Sequence, residues 1–218
     1  MTIDPLYPIV DHPDWVERLG RSGARLVQLR MKDLPEPELR VAIRASLSFA
    51  RFYALSLVVN DHWRLALEEG AEWVHLGQED LDTADLAAIR RGGLKLGLST
   101  HDEDELARAL AVKPDYVALG PIFPTTLKVL RFGPQGMDRI THWKAAIAAA
   151  TPPGQMPVPL VAIGGITLET ARACLDHGAD SVAIVTDILK AQNPEARCRA
   201  LLAVTRPRAG AARAGTPR

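Results

Sequence analysis

The chain has 218 residues, 47% hydrophobic and 24% charged, with Lys+Arg and Asp+Glu equal at 26 each. That length can bury a substantial core, as one large domain or two small ones, and the composition is that of an ordinary globular protein. Balanced charge supplies no field for nucleic acid or an anionic membrane, and no apolar run is long enough to span a bilayer. The opening MTIDPLYPIVDHPDW has no basic segment followed by an apolar stretch, so no secretion signal is read there. Cys174 and Cys198 lie in helix-like segments without metal-ligand spacing and are expected to be reduced thiols. A cytoplasmic protein without nucleic-acid or membrane partners is the expectation.

Short apolar runs alternate with amphipathic stretches along the chain. In order, the strand candidates are LYPIV (6–10), RLVQLRM (25–31), LSLVV (55–59), EWVHL (72–76), LKLGL (94–98), DYVAL (115–119), PLVAI (159–163) and SVAIV (181–185). Between them, segments such as PELRVAIRASLSFARFYA and DEDELARALAV carry apolar residues at helical spacing. Gly23-Ala24, Gly70-Ala71 and Gly178-Ala179 precede strands, where glycine suits the left-handed stop of a helix. Strands alternating with helices imply parallel βαβ units, and eight in this length predict a single closed (β/α)8 TIM barrel over residues 1–206. An open doubly wound sheet is disfavoured, since no GxGxxG or GxxxxGK[ST] is present. Residues 207–218, PRAGAARAGTPR without the periodicity of a folded element, read as a disordered tail.

A barrel of this type places its chemistry at the C-terminal ends of the strands. In the second strand Gln28, Arg30 and Lys32 share one face at period two, which in a closed barrel calls for a polar ligand. The third strand ends at Asn60-Asp61 and the fourth runs into HLGQED, ending at Asp80. Asp61 suits the N-cap of the helix that follows, and Asp80 suits an exposed charge. Neighbouring strands lie only about 4.8 Å apart, however, so the two carboxylates are also placed to share an octahedral Mg2+. After the fifth strand, Ser99 and Thr100 are either anion donors or helix caps. The loop after the sixth strand, GPIFPTTLKVLRFGPQG, offers Thr125, Thr126 and Lys128. Gly164-Gly165 before a helix at Thr167, and Thr186 after the eighth strand, stand where such barrels hold phosphate. Of the six histidines, His75 reads as packed or hydrogen-bonded in the interior; no zinc spacing and no Ser/His/Asp arrangement emerges.

With these residues in place, the chain resembles the thiamine phosphate synthase family from about Leu6 to Ala203. The resemblance rests on VQLRMKD, VVNDHWRLALEEGAEWVHLGQEDL, LGLSTH, DYVALGPIFPTTLK, VAIGGIT and ADSVAIVTDI, in the family's order. It implies a Mg2+-dependent barrel that joins a hydroxymethylpyrimidine diphosphate to a thiazole phosphate, or its carboxylated form, giving thiamine phosphate and pyrophosphate. By match to the family's motifs, Gln28 would contact the pyrimidine. Arg30, Lys32, Asn60, Ser99 and Lys128 would hold the diphosphate, with Arg30, Lys32, Ser99 and Lys128 as the catalytic group. Asp61 and Asp80 would hold one Mg2+, and Thr125, Gly165, Val185 and Thr186 the thiazole phosphate. The family's reaction is dissociative: diphosphate departs before the thiazole nitrogen attacks, so no general base is demanded. Two positions depart from the pattern. Leu127 replaces the second threonine of the P-T-x-T-K loop, and Thr186 replaces a serine but keeps its hydroxyl. A thiazole tautomerase-like paralogue and a non-catalytic binding protein are the alternatives. The retained Gln28, Arg30, Lys32, Asn60, Asp61 and Asp80 argue against the first; the intact metal pair has no use in the second.

Overall fold

All eight apolar runs form strands, with bounds within two residues of those expected. The structure, a computed structural model, describes residues 3–125 and 132–206. The strands are β1 (Leu6–Val10), β2 (Leu26–Leu29), β3 (Ser56–Asn60), β4 (Trp73–Leu76), β5 (Lys95–Thr100), β6 (Tyr116–Leu119), β7 (Leu160–Ile163) and β8 (Ser181–Ile184). Each pairs in parallel with its sequence neighbour, and β8 closes on β1 through Leu6↔Val182, Tyr7↔Ala183 and Pro8↔Ile184. The result is the closed (β/α)8 barrel that the alternation implied.

The connecting helices among the described residues are α1 (Pro13–Arg21), α2 (Glu36–Phe52), α3 (Trp63–Glu68), α4 (Gln78–Thr83), α5 (Leu86–Arg91), α6 (Glu103–Ala111), α7 (Asp138–Ala150), α8 (Leu168–Asp176), α9 (Thr186–Leu189) and α10 (Pro194–Thr205). The crossover from β4 to β5 is split in two at Ala84, whose extended backbone ends α4. Asp85 then caps α5 by accepting from the Ala88 N–H at 2.8 Å. Gly23, Gly70 and Gly178 have φ of 97°, 71° and 110°, so the three Gly-Ala pairs do end their helices in the left-handed region.

Both faces of the strands are buried, in two separate clusters. Outward residues such as Leu6, Val27, Val59, Val74, Leu98 and Val182 pack under the helices. Inward residues such as Tyr7, Leu26, Val58, Trp73, Tyr116 and Val161 fill the barrel. Two-sided burial explains why the strands read as nearly continuous apolar runs. At the closing seam Arg206 pairs with Asp4 at 3.1 Å, joining the end of α10 to the segment before β1. Cys174 and Cys198 are buried free thiols, and burial pushes both up to about 11. No helix among the described residues is long and apolar enough to cross a membrane. The tail expected at 207–218 lies outside the described residues.

Candidate active site at the C-terminal rim

Gln28 points into the barrel and is 2% exposed; its Nε2 donates to the Tyr7 hydroxyl at 2.8 Å. Arg30 follows the end of β2, tied by its N–H to the Val10 carbonyl at 2.7 Å. Its positive charge acts on both Asp61 and His75, at the ends of the neighbouring β3 and β4. Lys32 is exposed and lies beyond the strand, so the period-two reading holds for Gln28 and Arg30 but no ladder fixes the facing of Lys32.

Asn60 is buried and registers with His75 across β3 and β4. The next residue, Asp61, turns into the left-handed region at φ 64° while its N–H holds the His75 carbonyl at 2.9 Å. Aspartate tolerates that conformation better than most residues. Asp61 is not a helix cap: His62 occupies the cap position of α3, without a side-chain cap bond. Burial raises the Asp61 carboxyl above its usual 3.8, the nearby Asp80 carboxylate raises it further, and Arg30 opposes both. Asp80 sits in the first turn of α4, with Oδ2 accepting from the Gly77 N–H at 3.0 Å. The fold therefore brings the two aspartates together, as adjacent strands require. Two half-buried carboxylates that repel one another fit a divalent cation. Among the described residues no group of three or more His, Cys, Asp or Glu side chains is placed to hold a metal. A cation at the pair would complete its shell with water and ligand oxygens, as Mg2+ commonly does.

Ser99 lies inward on β5, its Oγ 2.9 Å from His75 Nε2. The other ring nitrogen, Nδ1, is 2.8 Å from the Tyr116 hydroxyl, and Tyr116 is 2.8 Å from Tyr7. Burial, followed by the Arg30 charge, lowers the His75 pKa to about 4, so the ring is neutral at pH 7. His75 is thus the hydrogen-bonded interior histidine that its position suggested. Thr100 is outward and fully buried: its hydroxyl donates to the Ala118 carbonyl at 3.0 Å and accepts from the Trp143 indole at 3.1 Å. Neither hydroxyl caps α6, because Asp102 accepts the Glu105 N–H at 2.9 Å. Of the two candidates after β5, Ser99 alone faces the interior.

The loop after β6 packs directly on the turn after β7. Ile122 N–H donates to the Ile163 carbonyl and Phe123 N–H to the Gly164 carbonyl, each at 2.9 Å. A Cβ at Gly165, whose φ is 67°, would fall 2.5 Å from the Pro124 carbonyl oxygen. Only glycine fits there, and the contact brings Thr125, the next residue after Pro124, toward the β7 turn. Thr126, Leu127 and Lys128 lie outside the described residues.

The N-terminus of α8 is less open than the Gly-Gly motif suggested. Thr167 N–H is taken by Thr170 Oγ1 and Leu168 N–H by Asp187 Oδ2, each at 3.0 Å. The N–H groups of Gly165, Val185 and Thr186 have no acceptor among the described residues. They, rather than the first turn of α8, are the donors that an anion would meet between β7 and β8. A cavity at the opposite mouth, lined by Arg25, Ser56, Trp73 and Lys95 among others, contains none of these rim residues.

The rim therefore combines a carboxylate pair, a guanidinium, a serine hydroxyl and open backbone donors, an arrangement that can hold a divalent cation with a polyanion. Tyr7 and Tyr116 are what sequence reasoning missed. Each reads as one apolar residue of a buried strand, and nothing along the chain links residues 109 apart.

A family profile described as thiamine monophosphate synthase matches residues 6–188. A thiamine-phosphate synthase of Rhizobium etli is 56% identical over 95% of this chain and 98% of its own length. That of Serratia proteamaculans is 49% identical over 90% of this chain and 89% of its own. Among solved structures, the thiamine phosphate pyrophosphorylase from Pyrococcus furiosus superposes with a TM-score of 0.78 at 25% identity, covering 93% of this chain and 95% of that one.

Proposed function

The chain belongs to the thiamine monophosphate synthase family, and we propose that its rim joins 4-amino-5-hydroxymethyl-2-methylpyrimidine diphosphate to 4-methyl-5-(2-phosphoethyl)thiazole, or its carboxylated form, releasing pyrophosphate. It is a transferase of thiamine biosynthesis. The observation that carries the site reading is the paired Asp61 and Asp80 with Arg30 beside them.

In this reading Gln28 meets the pyrimidine inside the mouth of the barrel. Arg30, Lys32, Asn60, Ser99 and Lys128 take the diphosphate. Thr125, Gly165, Val185 and Thr186 take the thiazole phosphate, with the open N–H groups of the last three as donors. Asp61 and Asp80 would hold one Mg2+, which, when bound, supplies positive charge to the departing diphosphate. The bond from the pyrimidine methylene to the diphosphate oxygen breaks, and its electron pair leaves with the oxygen. Arg30 and the Ser99 hydroxyl stabilise the charge that develops there. The thiazole nitrogen then forms the C–N bond with its own lone pair, so no proton need be removed. A neutral His75 is consistent with that lack of a base. Small phosphorylated heterocycles are the partners in this reading, and the cytoplasm is the place of work it proposes.

The test is pyrophosphate release from both substrates with Mg2+. Release that needs both substrates and is abolished by chelation is expected. Binding of both substrates without release would overturn the assignment. A tautomerase is disfavoured because Gln28, Arg30, Asn60, Asp61 and Asp80 all stand at the rim.

A further inference from the structure

Five polar side chains form a continuous chain inside the barrel, from Gln28 on β2 to Ser99 on β5. Gln28 Nε2, Tyr7 Oη, Tyr116 Oη and His75 Nδ1 are linked by successive contacts of 2.8 Å, and His75 Nε2 to Ser99 Oγ by one of 2.9 Å. Tyr7 is 1% exposed, Tyr116 0% and His75 8%, so water does not substitute for these partners. A Cβ at Gly97 would fall 2.0 Å from Tyr116 Cζ; the missing side chain makes room for the ring that joins the two halves.

Each link has a direction, because each hydroxyl carries one hydrogen. Tyr7 accepts from Gln28, so its own hydrogen goes to Tyr116. Tyr116 then donates to His75 Nδ1. A neutral imidazole that accepts at Nδ1 carries its hydrogen on Nε2 and donates it to Ser99. The Ser99 hydroxyl hydrogen is left over for the rim. If the His75 tautomer alone were reversed, the Tyr7 hydrogen would be buried without an acceptor, which a buried hydroxyl does not tolerate without loss of stability. Only turning the Gln28 amide over inverts the whole chain without that loss, and Ser99 would then offer the rim a lone pair instead of a hydrogen.

We propose that Tyr7, Tyr116 and His75 are positioning residues that form a one-way relay coupling the Gln28 amide to the Ser99 hydroxyl. A substrate group that donates to the Gln28 carbonyl, as the 4-amino group of the pyrimidine does, holds Ser99 as a donor to the leaving diphosphate. A 4-oxo pyrimidine would call for the turned amide and withdraw that hydrogen. The coupling rests on the functional reading above, in which Gln28 meets the pyrimidine and Ser99 the diphosphate; the polarity of the relay does not.

Two measurements on the full chain test it. In 15N-histidine NMR of the ligand-free protein, the His75 resonances are identified by their loss in His75→Gln and are expected to show a protonated Nε2 and a bare Nδ1. The Nδ1–H tautomer would overturn the relay whatever the activity. In kinetics, Tyr116→Phe should lower kcat about tenfold with little change in KM for the pyrimidine diphosphate. It should also narrow the kcat difference between amino and oxo substrates. His75→Gln, whose amide reaches the Nε2 position, should keep more kcat than His75→Asn, which reaches only Nδ1. Unchanged discrimination in Tyr116→Phe, or losses that follow only the folded fraction, would sink the coupling. If the Nε2–H tautomer is found but the wild type releases no pyrophosphate, the functional reading fails and takes the coupling with it, while the relay stands.

Discussion

The Tyr116 ring passes through the space where Gly97 would otherwise carry a side chain: a Cβ there would lie 2.0 Å from Cζ and 2.4 Å from the hydroxyl. These residues register across β5 and β6, so the glycine is a packing device for the aromatic opposite it. Gly97→Ala should destabilise the protein by about 1–3 kcal/mol through overpacking. It should also move the Tyr116 hydroxyl off His75. Urea unfolding reads the first effect and kcat of the remaining folded protein the second; an alanine accommodated at no cost to either would contradict this packing.

Asp61 and Asp80 repel one another in the absence of a cation. Asp61→Asn should therefore leave the melting temperature at neutral pH unchanged or raise it slightly, while turnover falls about a hundredfold or more. Thermal stabilisation of the wild type by Mg2+ with inorganic pyrophosphate should disappear in the variant. Parallel losses of stability and activity would instead mean that Asp61 is mainly structural.

Gly165 is held at φ 67°, and a Cβ there would fall 2.5 Å from the Pro124 carbonyl oxygen. Gly165→Ala combines a left-handed alanine, about 1–2 kcal/mol, with a backbone clash. The loop after β6 should move away, raising KM for the thiazole phosphate several-fold more than KM for the pyrimidine diphosphate. Equal changes in the two would argue that the β7 turn does not meet the thiazole side.

Cys174 and Cys198 have pKa values raised from 9.0 to about 11 by burial. The folded protein therefore holds these protons more tightly than the unfolded chain. Each thiol subtracts stability as pH rises from 9 to 11 and has no effect well below that window. At pH 8, iodoacetamide should leave both native thiols unmodified and label both in denaturant, as counted by intact mass. Rapid native labelling would show that one of them is open to solvent.

The rim was legible wherever a strand's end and its exit loop are continuous in sequence. Gln28 with Arg30, Asn60 with Asp61, and Gly164 with Gly165 each sit on one short segment, so period two and the barrel rule sufficed. Lys32 shows where that reading stops, because β2 ends at Leu29 and alternation beyond a strand has no ladder to enforce it. The N-terminus of α8 shows a second limit. Its first donors are satisfied by Thr170 nearby and by Asp187, which arrives from the following β/α unit.

Eight apolar runs alternating with amphipathic stretches determined the barrel by themselves, since parallel strands separated by helices have few ways to bury both faces. The order of those runs also made Asp61 and Asp80 neighbours. Only the tertiary structure decided what fills the barrel beneath them. Tyr7 and Tyr116 meet because closure sets β1 and β6 across one interior, and there a buried hydroxyl must find a partner. Hydrophobic periodicity records which face of a strand is buried; it carries no record of which polar atom waits on the far side of the core.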